Sequence, residues 1–148
     1  MIRNHCETST SSLITTRNDD VPIDEYRRRA FVVFSGQTDL KWLRILKPGF
    51  RHCFVLLSDK EHWLCLDPLS NRLELFLHPV DPHFDFVHFY ADRGMAAVRA
   101  TILPALPKPA PLGVFTCVET VKRVLGIRHR RIVTPRQLHK FLAAQSQP

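Results

Sequence analysis

No apolar run in the 148 residues approaches the ~20 needed for a helix to cross a bilayer. The first 20 residues open with Met-Ile-Arg-Asn-His and continue through Ser, Thr and Asp, so they lack the apolar stretch of a secretory signal. Neither a membrane-spanning helix nor signal-directed export is expected, and the chain is expected to stay in the cytoplasm. Cysteine is scarce too. Cys6, Cys53, Cys65 and Cys117 are scattered, and Cys6 falls in a polar, aperiodic stretch, which argues against a disulfide framework. No internal repeat is visible.

The composition is that of an ordinary globular protein, 45% hydrophobic and 24% charged. A chain of this length can form one domain that buries roughly 70% of its unfolded surface, enough for a real core. Residues 1–26 read as a flexible polar arm and 27–148 as a single α+β domain. The net charge of +7 suits an acidic partner such as nucleic acid or another polyanion. Its basic residues concentrate at Arg27, Arg28 and Arg29 and at Arg128, Arg130 and Arg131, positions equally compatible with solvated element ends.

Along the chain, Ala-Phe-Val-Val-Phe at 30–34 is a β-branched and aromatic run ended by Ser35-Gly36, a buried strand. Leu40, Leu43 and Leu46, three apart and followed by Pro48-Gly49, mark a short helix or helical turn. Residues 50–57, 62–67 and 72–78 are strand-like and separated by turn formers, which predicts a three-stranded antiparallel meander. Residues 84–90 alternate enough to predict a further strand, and 95–103 fit strand or helix. Four prolines in residues 104–111 make an extended connector. Thr116-Cys117-Val118-Glu119 then matches a capping box for a helix that stops at Gly126, and Thr134-Pro135 opens a last helix through Leu138, Phe141 and Leu142. The expected architecture is an antiparallel sheet of about four to five strands packed against a Cys-bearing helix.

Cys117 would be the first residue of its helix, where unpaired backbone donors and the positive dipole end favour a thiolate. It shares a face with Val121, Val124 and Leu125, so the helix presses it towards the sheet. A hairpin turning at Asp59-Lys60 sets His52 directly opposite Asp67, both on one face. A carboxylate on one imidazole nitrogen leaves the other free to take a thiol proton, so Cys117, His52 and Asp67 form a candidate nucleophile, base and orienter. His62 is the alternative orienter if the loop is one residue longer. Trp63, on the His52 face, could line a substrate groove or sit in the core. In the same register Cys53 faces away from His52 and Cys65, and the spacing of His52, Cys53, His62 and Cys65 matches no common zinc motif; no metal or cofactor is expected. His78, His83 and His88 read as polar tips at strand ends.

A His on a strand within Gly49-Phe50-Arg51-His52-Cys53-Phe54, a polar residue on the next strand, and a later helix opening with Thr116-Cys117-Val118-Glu119 resemble the circularly permuted papain-like fold. That group includes lecithin:retinol acyltransferase-like and permuted NlpC-type proteins, and the likeness spans roughly residues 30–125. It implies a thiol hydrolase or acyltransferase working through an acyl-enzyme on a peptide, peptidoglycan or other acyl substrate. It also implies His52 as general base, Asp67 as third member, and the Cys117 amide in the oxyanion site. Gln37 is the candidate side chain lining that site. The competing reading is a non-catalytic binding or assembly module of phage or mobile-element type, using the same fold and a basic surface.

Overall fold

The computed structural model describes residues 29–38, 41–59, 62–81, 83–104 and 114–146. The expected arm over 1–26 and most of the proline-rich connector lie outside them. Strand β1 (Arg29–Ser35) is buried from Ala30 onward and pairs on both edges, which is why its sequence reads as continuous apolar residues. Around it, β2 (His52–Asp59), β3 (His62–Pro68), β4 (Leu73–His78) and β5 (Ala96–Thr101) complete an antiparallel sheet in the order β4-β3-β2-β1-β5. The expected meander is thus β2-β3-β4, and the ambiguous 95–103 segment supplies the β5 edge.

Alternation along β1 and β2 divides the core between the two faces of the sheet. Val32, Phe34, Cys53 and Val55 point to one side, where α2 (Cys117–Leu125) contributes Val118, Val121 and Leu125, and α3 (Pro135–Gln145) contributes Leu138 and Leu142. Phe31, Val33, Leu56, Trp63 and Cys65 point to the other, where they meet Phe86 and Tyr90 of α1 (Phe86–Ala91). The structure is therefore α+β, with one five-stranded antiparallel sheet and helices on both faces.

Residues 84–90 do not form the predicted strand. The Asp85 carboxylate accepts the His88 amide as an N-cap, and Phe86 and Tyr90, four apart, are both buried against Phe31, Trp63 and Phe54. In Phe84-Asp85-Phe86-Val87-His88-Phe89-Tyr90 the apolar residues satisfy periods of two and four alike, and the cap decides. The cap of α2 is also simpler than expected. Thr116 Oγ1 accepts the Glu119 amide, but the Glu119 carboxylate turns to Lys122 Nζ and Arg123 Nε, both at 2.9 Å. Two cations within a turn outcompete a single backbone donor for that carboxylate, which they hold below its usual pKa despite the opposing effect of burial. Lys122 is itself buried and donates to the Ile132 carbonyl, tying α2 to the turn that leads into α3. The reciprocal box forms at α3 instead, where Thr134 and Gln137 satisfy each other's backbone amides. In the turn between these helices Arg128, Arg130 and Arg131 are exposed.

Gly126 ends α2 in the left-handed conformation (φ 73°), and a Cβ there would lie 2.9 Å from the Leu103 carbonyl oxygen. Leu103 in turn donates its amide to the Leu125 carbonyl, docking the end of β5 on the end of α2. Gly126→Ala combines left-handed strain with this clash. It is expected to cost about 1–3 kcal/mol, read as a lower urea midpoint with an unchanged m-value.

Candidate active site

The end of β1 and the start of β2 form the floor of the site. Gly36 and Gly49 approach so closely that a Cβ on Gly36 would stand 3.1 Å from the Gly49 nitrogen. Gly49 itself takes a positive φ of 84°, which lets the chain turn sharply out of Pro48 into β2. The Arg51 amide donates to the Ser35 carbonyl at 2.9 Å, and its guanidinium reaches the Gly36 and Arg44 carbonyls. His52, the first residue of β2, is thereby fixed at the rim of the sheet.

The β2–β3 pairing matches Asp59 with His62 and Val55 with Leu66. The ladder is therefore displaced by two residues from the predicted one, and His52 is not directly opposite Asp67. Continuing the observed ladder sets Asp67 opposite Phe54 and one diagonal step from His52. A displacement of two preserves the side-chain face, where a displacement of one would have reversed it. The diagonal is short enough for a strong contact: His52 Nε2 and Asp67 Oδ1 are 2.6 Å apart, with the two side chains 19% and 21% exposed. His62 begins β3 on the opposite face, five residues from Asp67, and takes no part.

Cys117 opens α2 behind the Thr116 cap, partly exposed. Hydrogen bonding from the Cys53 thiol and amide and from the His52 ring acts on its thiol. Because Asp67 occupies Nε2, Nδ1 is the ring nitrogen left for the sulfur. Asp67, His52 and Cys117 thus act on one another, joining a residue of β3, the first residue of β2 and the first residue of α2.

The electrostatics follow from these contacts. The Cys53 thiol donates to the Cys117 sulfur and lowers its pKa; burial opposes this, and the hydrogen bond and positive charge of His52 lower it further, to about 5. Burial pulls the other way on His52, favouring the neutral ring, but the bonds to Asp67 and Cys117 and their negative charges outweigh it and raise its pKa to about 9. Between these values the pair is thiolate and imidazolium. Cys53 is wholly buried, which pushes its own thiol far up and keeps it a protonated donor, and the Cys117 charge beside it acts in the same sense. Cys65, on the other face, is pushed up to about 12 by burial, with Asp67 and Glu74 adding to it. Iodoacetamide should therefore alkylate Cys117 at a rate that rises as pH climbs through about 5, while Cys65 stays unreactive until the protein unfolds. Peptide mapping of the labelled protein across pH reads both.

Beside His52 and Asp67 opens a pocket of about 210 Å³ whose walls include Gln37, Phe54, Ser70 and Met95. Gln37 thus stands on a pocket wall shared with His52 and Asp67. Trp63 does not: it is 1% exposed, stacked among Phe31 and Phe86 in the α1-side core. The sequence reading missed Cys53 as a partner of Cys117. Its position next to His52 was the available signal, because at a strand end consecutive residues of opposite faces can both reach a group lying across the rim. Among the described residues no three His, Cys, Asp or Glu side chains converge as a metal site would require, and no helix is long and apolar enough to cross a membrane. No family model, curated protein or solved structure matches the chain.

Proposed function

We propose that the chain is a thiol hydrolase or acyltransferase of permuted papain-like type, acting on amide or ester bonds with Cys117 as nucleophile. The observation that carries the reading is the 2.6 Å contact of Asp67 with His52, the imidazole that in turn acts on the Cys117 thiol and favours its thiolate well below neutral pH. The order of elements agrees with it, the histidine strand preceding the cysteine helix in an antiparallel sheet.

In this mechanism the Cys117 thiolate attacks the carbonyl carbon, and the developing oxyanion is met by the Cys117 amide at the start of α2, which has no carbonyl partner within the helix. Gln37, on the wall of the pocket beside His52, is the candidate for an added side-chain donor. The His52 imidazolium gives its Nδ1 proton to the departing amine or alcohol as the carbon–heteroatom bond breaks, leaving a thioester on Cys117. Neutral His52 then takes a proton from water, or from an acceptor alcohol or amine, which attacks the thioester, carries off the acyl group and leaves the Cys117 thiolate beside protonated His52. Asp67 holds the ring in the tautomer that serves both steps.

The test uses p-nitrophenyl acetate with the full chain. The expected result is a burst of nitrophenolate stoichiometric with protein, followed by slower turnover, with the acetyl group found on the Cys117 peptide after acid quench. Acetylation confined to lysines, with no burst, sinks the proposal.

A further inference from the structure

Cys53 and Cys117 are both free thiols, and at the β2–α2 junction Cys117 packs against the core cluster to which Cys53 belongs, where the Cys53 thiol acts on it. One is partly open to solvent; the other is sealed in the core between β1 and α2. We infer that this pair is a reactive dithiol, in which a hydroperoxide oxidises Cys117 and Cys53 resolves the product into an intramolecular disulfide. The inference shares the Cys117 nucleophile with the acyl chemistry proposed above but needs none of its substrate recognition.

The order of events follows from the surroundings of each sulfur. Cys117 reaches solvent and bears the negative charge, so it is the sulfur that meets the peroxide. Its thiolate attacks one peroxide oxygen, the O–O bond breaks, and the departing alkoxide or hydroxide takes a proton from His52 and leaves as alcohol or water. Cys117 is then a sulfenic acid. Cys53, protonated and shielded, is not oxidised directly, but it lies against the sulfur that has become electrophilic. Its sulfur attacks, the sulfenic hydroxyl departs with the Cys53 proton as water, and the S–S bond forms. Two thiols have given two electrons to one peroxide, and an external thiol can reverse the change.

The two residues lie near the start of β2 and at the tip of α2, so a strand end and a helix tip, rather than the middle of the sheet, would adjust to bring the sulfurs to the ~2.05 Å bond length. Cys65 provides an internal contrast, since it lies on the opposite face of the sheet, in the α1-side core. While the disulfide stands, Cys117 cannot form a thioester, so oxidation would suspend the acyl chemistry reversibly.

The experiment treats the full chain with two equivalents of hydrogen peroxide near neutral pH, blocks residual thiols and maps the unreduced peptides by mass spectrometry. A parallel sample is labelled with iodoacetamide at pH 6 before oxidation. The expected product links Cys53 to Cys117, leaves Cys65 as a thiol, abolishes later labelling of Cys117 and is reversed by dithiothreitol. In Cys53→Ala, Cys117 should instead proceed to sulfinic acid. If wild-type Cys117 labels readily but is oxidised to sulfinic acid with Cys53 still reduced, or pairs with Cys6, Cys65 or a second chain, the dithiol inference is overturned while the acyl reading stands. If Cys117 neither labels nor oxidises, both lose their nucleophile. The wild-type map decides these outcomes without relying on the variant to fold.

Discussion

His52→Ala is expected to lower acyl turnover on p-nitrophenyl acetate by about 10²–10⁴-fold, the range that a positioned acid–base side chain contributes. Two losses combine. The variant has no group to deprotonate the water that resolves the thioester, and the Cys117 thiolate has lost the cation beside it. The second loss has its own signature: the alkylation midpoint of Cys117 should rise from about 5 towards the ordinary thiol value. It should stop short of that value, because the Cys53 donors and the first turn of α2 remain. A variant that keeps both the wild-type rate and the wild-type midpoint contradicts a role for His52. His52 is about four-fifths buried at the start of a strand and belongs to neither apolar cluster, so the substitution should leave the far-ultraviolet spectrum intact.

Asp67→Ala should have the next largest effect, a fall of about 10–100-fold in turnover. This is smaller than in a serine triad, because the thiolate and imidazolium hold each other charged without the carboxylate. The physical loss is of orientation and of proton affinity. Without the 2.6 Å contact to Nε2 the ring can rotate away from Cys117 and can expose the wrong nitrogen to it. The Asp67 hydrogen bond is also the largest of the contacts that raise the His52 pKa, so its removal should bring the loss of the imidazolium proton down from about 9. Asp67→Asn, which can still hold the ring through its amide oxygen but carries no charge, should recover part of the rate and little of the pKa. Equal rates for wild type, Asn and Ala would remove Asp67 from the mechanism.

How the site could be read before folding depends on which physical rule governed each residue. Cys117 was legible because helix starts are written locally: Thr116 caps, Gly126 stops, and Val121 and Leu125 mark a buried face between them, to which the fold adds Val118 where Val124 was expected. The His52–Asp67 contact was legible in its face but not in its register. Face depends only on the parity of the ladder, whereas register depends on where the β2–β3 turn falls, and Asp59, Lys60 and Glu61 offer several turn formers in a row. Residues 84–90 were misread because aromatic residues spaced by two are also spaced by four, and the Asp85 cap that selects the helix makes its bond only once the turn has formed. Trp63 shared a face with His52, but no local feature told that α1 would cover it. The partnership of Cys53 with Cys117 was hinted at only by the place of Cys53 next to His52, since it depends on the tip of α2 lying against the start of β2. The β2-β3-β4 meander followed from the strand runs and their turn formers, whereas the place of β1 between β2 and β5 is set by pairing distant in sequence.

The most direct test of the ion pair is an NMR titration of the His52 ring in the wild-type protein and in Cys117→Ala. The account predicts that wild-type His52 remains protonated through neutral pH and loses its proton near pH 9, and that without the Cys117 sulfur the transition moves to lower pH. A wild-type ring that titrates near its ordinary value of 6.5, unchanged by the substitution, would contradict it.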